Sequence, residues 1–222
     1  MSLNIPESFF IRSKDDTFPD VSAALDEPNG LLAIGGDLSP ERLISAYKQG
    51  IFPWYSEGEP VLWYSPNPRM VINKDALHIS KNLAKLLRFR HFTIKVNSNF
   101  EQVIYQCKTA VRKGQNSTWI DEDMLSAYTE LHALGVAQSV EVYRQSELVG
   151  GLYGVHFGKM FFGESMFSKT SGASKIALVH LVQNMGYELI DCQVESPHLK
   201  SLGAFNIERT AFIEKMQKLL LK

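Results

Sequence analysis

Hydrophobic and polar positions follow two different patterns along this chain. Up to residue 68, short apolar runs alternate with turn-forming stretches that read EPNG, IGGD, SEGEP and SPNPR. One helix is predicted there, in SPERLISAYKQG, with Ser39 as its N-cap, Pro40 in its first turn and Gly50 as its stop. We therefore expect a small α/β subdomain over residues 1–68.

From residue 69 onward the periodicity becomes regular. Helical spacing in HISKNLAKLLRF is followed by a strand pattern in FTIKV, two helices that end near Gly135, and three strands in SVEVYR, ELVGGLYGV and KMFFGESMF. A helix in ASKIALVHLVQNMG, a strand in ELIDCQV and a helix near Ala211–Leu220 complete the order. This order predicts an α+β domain over residues 69–222, with a mixed, mainly antiparallel sheet flanked by helices, as in the acetyltransferase-like (GNAT) fold.

Composition and the sequence of the N-terminal segment predict a cytoplasmic globular protein. Its 222 residues are 45% hydrophobic and 21% charged, which is ordinary for a globular domain. No apolar run approaches the roughly 20 residues that cross a bilayer, and the start, MSLNIPESFF, lacks the order of a secretory signal. Two cysteines, Cys107 and Cys192, show neither a disulfide framework nor zinc spacing.

Charge is unevenly distributed although the formal net charge is −1. Residues 69–113 contain ten Lys or Arg against Asp75 and Glu101, whereas residues 1–68 contain four basic and ten acidic side chains. A basic segment in an otherwise acidic protein indicates a polyanionic partner rather than a membrane. A solvated helix face would produce the same count.

The strand ELIDCQV carries polar residues at alternate positions. Asp191 and Gln193 are expected on one face, where the carboxylate could orient the glutamine amide, and Cys192 on the other. The alternative interpretation is that these polar residues lie on a solvent-exposed strand edge. Cys192 could act as a nucleophile with His180 or His198, but a structural, buried thiol is favoured.

A further carboxylate, Glu164, lies among aromatic residues in FFGESMF. The adjacent Gly163 would let a ligand or another backbone come close. A buried carboxylate there must be paired with a cation or bind an amine. An internal ion pair with Lys169 or Lys175 is the competing explanation.

Aromatic residues are concentrated in GIFPWYSEGEPVLWYSPNPR, and Trp119 follows in STWI. Such rings can provide stacking platforms for bases, although most rings in this segment should form the core of the small subdomain. The chain has neither a GxxxxGK[ST] phosphate loop nor an HExxH metal motif. The turn before Ala173 reads SKTSGASK and lacks the QxxGxG or QxxGxA loop that binds acetyl-CoA pyrophosphate.

Several blocks occur in the order found in one family. They read EPNGLLAIGGDLSPERLISAYKQGIFPWY, WYSPNPR, HISKNL, TWI, SVEVYRQSELVGGLYGV, FFGESMFS, ASKIAL and LIDCQVESPHLKSLGA. With them the chain closely resembles the bacterial leucyl/phenylalanyl-tRNA-protein transferases over about residues 18–210. The resemblance implies transfer of Leu or Phe from aminoacyl-tRNA to an N-terminal Arg or Lys, which marks the acceptor protein for N-degron degradation. It implies no metal or coenzyme, and nothing in the sequence demands more than a monomer.

The resemblance also implies roles for particular residues. Asp191 and Gln193 correspond to the proposed catalytic pair, and Glu164, the third residue expected to act in catalysis, corresponds to a glutamate at the active-site pocket. The aminoacyl pocket is expected to comprise Leu152, Phe161, Gly163 and Leu181. The 3′-terminal adenosine is expected against Phe52, Trp54 and Trp119, and the tRNA backbone against Lys81, Lys85, Arg88 and Arg90.

Two other functions remain open from the residues alone. An acyl-CoA-dependent N-acetyltransferase would share the fold but needs the pyrophosphate loop. A non-catalytic RNA-binding module would use the basic segment and the aromatic residues, but would leave Glu164, Asp191 and Gln193 without a role.

Overall fold

A computed structural model describes residues 5–88, 91–110 and 120–222. Its strands are β1 Phe10–Ile11, β2 Leu31–Gly35, β3 Phe52–Pro53, β4 Leu62–Tyr64, β5 Arg69–Ile72, β6 Phe92–Val96, β7 Ala137–Arg144, β8 Glu147–Phe157, β9 Met160–Ser168, β10 Leu189–Gln193 and β11 Phe205–Ile207. Its α-helices are α1 Pro40–Lys48, α2 Lys81–Arg88, α3 Phe100–Thr109, α4 Glu122–Ala133, α5 Ala173–Asn184, α6 Pro197–Lys200 and α7 Arg209–Leu220.

The described strands form two sheets. A four-stranded sheet has the order β1-β2-β4-β3, and a seven-stranded sheet has the order β11-β5-β10-β9-β8-β7-β6. In the larger sheet, β6 to β9 run antiparallel in sequence, and β10 then joins β9 in parallel after the crossover through α5. This mixed sheet with its helices confirms the predicted α+β class.

Apolar residues cover both faces of the larger sheet. On one face, a core around α5 contains Leu152, Phe161 and Ile190. On the other face, the core is continuous with the small sheet, because Phe52 and Trp63 belong to the same cluster as residues of β9, α3, α4 and α7. Helix α7 comes so close to the end of α1 that a Cβ at Gly50 would lie 2.5 Å from Ile213 Cδ1.

The periodic elements are confirmed, including α1, the three long strands β7 to β9, α5 and β10. The sequence did not indicate β5, β11 or α6, which are short. The larger sheet places β5 beside β10, so a strand that the sequence did not predict adjoins the DCQ segment. Within the described ranges, no helix has the length and apolar character needed to cross a bilayer.

Candidate active site

Strands β9 and β10 separate where the candidate residues lie. Their parallel pairing ends at Asp191 opposite Phe162, although β9 continues to Ser168 and β10 to Gln193. The opening between them is a cavity of about 900 Å³. Because it lies between two strands rather than on one face, residues from both faces of the sheet line it.

A β-bulge directs Glu164 into this cavity. On β8, Tyr153 pairs with Ser165 and the next residue, Gly154, pairs with Gly163, so Glu164 is the extra residue of β9. A bulge re-aims a side chain that regular alternation would send elsewhere. Gly154 is required at this point, since a Cβ there would lie 2.0 Å from the carbonyl oxygen of Phe162.

Three side chains donate hydrogen bonds to the Glu164 carboxylate. Tyr47 Oη lies 2.7 Å from Oε1 and Tyr128 Oη lies 3.1 Å from Oε2, and the two hydroxyls also contact each other. Gln193 Nε2 donates to Oε1 at 2.8 Å. The partners of Glu164 are therefore uncharged donors on α1, α4 and β10 rather than Lys169 or Lys175, the competing explanation.

Burial dominates the ionisation of this carboxyl group. It raises the pKa of Glu164 to about 7, and the nearby charge of Asp191 acts in the same direction. Hydrogen bonds from the two tyrosines and Gln193 oppose the shift because they favour the carboxylate. Burial also raises the pKa of both tyrosines well above the ordinary value, so their hydroxyls remain donors.

A second bulge reshapes the DCQ segment. On β5, Val71 pairs with Asp191 and Met70 pairs with Gln193, so Cys192 is the extra residue. Gln193 has φ of 62°, a left-handed conformation that costs a non-glycine residue about 1–3 kcal/mol and persists only where neighbours enforce it. Asp191 Oδ1 enforces it by accepting the Gln193 backbone N–H at 2.8 Å.

The predicted contact between the Asp191 carboxylate and the Gln193 side-chain amide is wrong. Asp191 binds the backbone of Gln193, and Glu164 holds the amide instead. In a regular strand the side chains of Asp191 and Gln193 would share one face. The bulge at Cys192 interrupts this alternation.

Asp191 is fully buried in an ion pair. Arg69 Nε and Nη2 donate to its two oxygens at 2.8 and 2.6 Å, and the arginine is 1% exposed. The guanidinium lies over the rings of Phe52 and Phe212, with Cζ 4.7 Å from each ring centroid. The charge of Asp191 is thus matched within the protein by Arg69.

The cavity includes every residue predicted for the aminoacyl pocket. Leu152, Phe161, Gly163 and Leu181 line it together with four residues that no sequence motif indicated, Leu178, Met166, Ile190 and Leu199. Leu178 and Leu181 are three positions apart on α5, which places them on one helix face. That spacing was visible in the sequence but is equally typical of any core helix.

The structure describes only some of the residues predicted to contact the terminal adenosine and the tRNA backbone. Phe52 and Trp54 line the cavity, but Phe52 is buried whereas Trp54 is 41% exposed, so Trp54 is the more accessible ring. Lys81, Lys85 and Arg88 are exposed on α2 at spacings that put them on one side of the helix. Trp119 and Arg90 lie outside the described residues.

Cys192 does not resemble an activated nucleophile. Burial, assisted by Asp191, raises the pKa of its thiol well above the ordinary value, which disfavours the thiolate that would attack a carbonyl carbon. It packs with the apolar residues around α5 and lines the cavity. The predicted structural role agrees with this environment.

Comparison with known proteins identifies the family. A model of the leucyl/phenylalanyl-tRNA protein transferase matches residues 71–217, and a model of the N-terminal domain of this protein matches residues 36–67. The chain belongs to the leucyl/phenylalanyl-tRNA protein transferase family. This family consists of aminoacyltransferases, so the chain is an enzyme of that class.

Curated transferases of the same name cover nearly the whole chain. The protein from Nitrosomonas europaea is 55% identical over 208 residues, which are 92% of this chain and 88% of the relative. The protein from Hydrogenovibrio crunogenus is 52% identical over 215 residues, covering 96% and 84%. That from Xanthomonas euvesicatoria is 53% identical over 204 residues, covering 90% and 82%.

Two solved structures align with this transferase at low sequence identity. A GCN5-related N-acetyltransferase from Kribbella flavida aligns with a TM-score of 0.39 at 9% identity, covering 75% of this chain and 60% of that chain. A conserved protein of unknown function from Staphylococcus epidermidis aligns with a TM-score of 0.42 at 13% identity, covering 80% and 68%. Alignments at this level add nothing to the fold or site of the transferase described above.

Proposed function

We propose that the chain transfers Leu or Phe from aminoacyl-tRNA to the N-terminal Arg or Lys of acceptor proteins, and so marks them for degradation. The observation that carries this proposal is the Gln193 amide, held by Glu164 at the wall of an apolar cavity. A site for aminolysis of an ester needs an apolar pocket for the donor side chain and an acceptor for the attacking amine beside it. We place this reaction in the cytoplasm, where aminoacyl-tRNA is available, and assign it to a monomer.

The donor side chain is assigned to the apolar end of the cavity. Leu152, Phe161, Gly163 and Leu181 line it, and an unbranched Cβ enters such a pocket more easily than the broad Cβ of Ile or Val. One methylene more or less changes binding by only about 1–3 kcal/mol, so selectivity among apolar amino acids has to come from pocket shape. The terminal adenosine is assigned to Phe52, Trp54 and Trp119.

Gln193 is assigned to the attacking amine. Its Nε2 is committed to Glu164, which leaves the carbonyl Oε1 as the end that can accept a hydrogen bond from the amine. The amine nitrogen attacks the ester carbonyl carbon, the bond to the ribose oxygen breaks, and the proton passes to that leaving oxygen. An α-amine has a pKa of about 7.7–8.0, so a strong base is unnecessary.

Alignment of the two reactants supplies most of the acceleration in this mechanism. Well-oriented intramolecular reactions gain about 7–11 kcal/mol. Glu164 contributes a second effect when it is ionised, because its charge attracts a basic acceptor residue and repels an acidic one. Lys81, Lys85, Arg88 and Arg90 are assigned to the tRNA backbone.

The test is a transfer assay with purified components. Radiolabelled Leu-tRNA or Phe-tRNA is mixed with the enzyme and a protein that begins with Arg, and label is measured in the protein fraction. The matched control is the same acceptor beginning with Glu. Label in the Arg protein alone supports the proposal, whereas label in neither acceptor, or in both equally, contradicts it.

A further inference from the structure

Arg69 is a residue of the site that lies outside the DCQ motif. The resemblance to the family assigns no role to it. It lies on β5, the neighbouring strand to β10, and reaches Asp191 with two of its nitrogens. Its side chain is 1% exposed, so it cannot bind tRNA phosphates as the basic residues of α2 could. Its hydrogen bonds within the site go to Asp191.

The connection from Arg69 to the reacting amide is short. Asp191 Oδ1 accepts both Arg69 Nε and the Gln193 backbone N–H. The second of these bonds holds Gln193 at φ of 62°, and the backbone at that residue determines where the side-chain amide can reach. The amide then meets Glu164 at 2.8 Å.

The guanidinium itself is held by two aromatic rings. Phe52 comes from β3 and Phe212 from α7, and each ring centroid is 4.7 Å from Arg69 Cζ. A planar guanidinium stacks between two rings and presents a rigid fork to a carboxylate, whereas the ammonium of lysine does neither. The site therefore uses a property that is specific to arginine.

We propose that Arg69 is a positioning residue for the transfer reaction, which sets the Gln193 amide through the Asp191 carboxylate. This inference rests on the proposed function. It makes two predictions that differ from those of a purely structural ion pair. The loss of Arg69 should reduce kcat much more than it raises the KM for aminoacyl-tRNA, and lysine should not restore kcat.

The test compares Arg69→Lys with Arg42→Lys. Arg42 is the matched control because it is also a buried arginine, 7% exposed, whose Nη1 and Nη2 donate to the carbonyl oxygens of Asp16, Ser13 and Lys14. We expect Arg69→Lys to lower kcat by about 100-fold, as for a misplaced catalytic group, with the KM for Phe-tRNA within about threefold. Arg42→Lys should lower Tm while leaving kcat within about twofold of the wild type.

A second variant serves if Arg69→Lys fails to fold. Phe212→Leu removes one ring from the guanidinium and keeps the ion pair, and we expect kcat to fall about tenfold with little change in KM. The inference is overturned if Arg69→Lys, or Phe212→Leu in its place, retains kcat within about threefold of Arg42→Lys. Wild-type enzyme that transfers no label would instead contradict the proposed function, so the two failures are distinguishable.

Discussion

The Glu164→Gln substitution tests the ionisation of the central carboxyl group. Burial raises its pKa from 4.5 to about 7, so between these values the folded protein holds a proton that the unfolded chain has released. The stability of the folded state must therefore fall as the pH rises through this window. At 1.36 kcal/mol per pKa unit the fall amounts to about 3 kcal/mol. Glutamine is close to the neutral carboxyl group in shape and does not ionise, so the variant should not suffer this loss.

The assay is urea unfolding followed by circular dichroism at several values from about pH 5 to about pH 8. The free energy of unfolding of the variant, minus that of the wild type, should increase by about 3 kcal/mol over this range. Glu195→Gln is the control, because hydrogen bonds from Lys200 and Asn206 lower the pKa of Glu195. Its stabilising effect is complete above the ordinary glutamate pKa, so the difference for this variant should stay constant from about pH 5 to about pH 8. Parallel curves for wild type and Glu164→Gln would refute the raised pKa.

Three further predictions concern the catalytic pair, the tRNA contact and the donor pocket. Asp191→Asn should lower kcat by about 100-fold while tRNA binding in a filter assay stays nearly intact; transfer within a few-fold of the wild type would contradict its assigned role. Lys85→Ala should reduce the slope of log affinity against log salt by up to about one unit, and an unchanged slope would exclude this lysine from the phosphate contacts. Leu181→Phe should reduce transfer of Phe about tenfold more than transfer of Leu, because the pocket loses volume; equal effects in competition assays would place the donor side chain elsewhere.

The sequence predicted the larger elements because their apolar periodicity is long. Helix α5 and strands β7 to β9 each extend over eight residues or more, and burial of one face or both constrains every position. The two-residue strands β1 and β3 are too short to show an apolar periodicity. They are defined by pairing with distant segments, which a local pattern does not record.

The candidate site was predictable in its residue types but not in its contacts. Glu164 and Gln193 were noted as polar residues in apolar strands, yet two bulges decide that they meet each other. Tyr47 and Tyr128 were not recognised, because a tyrosine on the buried face of a helix gives no sign of what its hydroxyl contacts. Arg69 was counted with the basic segment, and only the position of β5 beside β10 shows that it is internal.

Joining the two sheets through one core has a consequence for synthesis of the chain. Tyr47 on α1 must reach Glu164 on β9, and Arg209 at the start of α7 donates to the carbonyl oxygen of Ser65, 144 positions earlier. A nascent chain that has just completed β4 still lacks the helix that covers Gly50 and the strand that carries Glu164. The early segments should therefore stay sensitive to proteases until α7 has left the ribosome, and the enzyme should gain its activity in one late step.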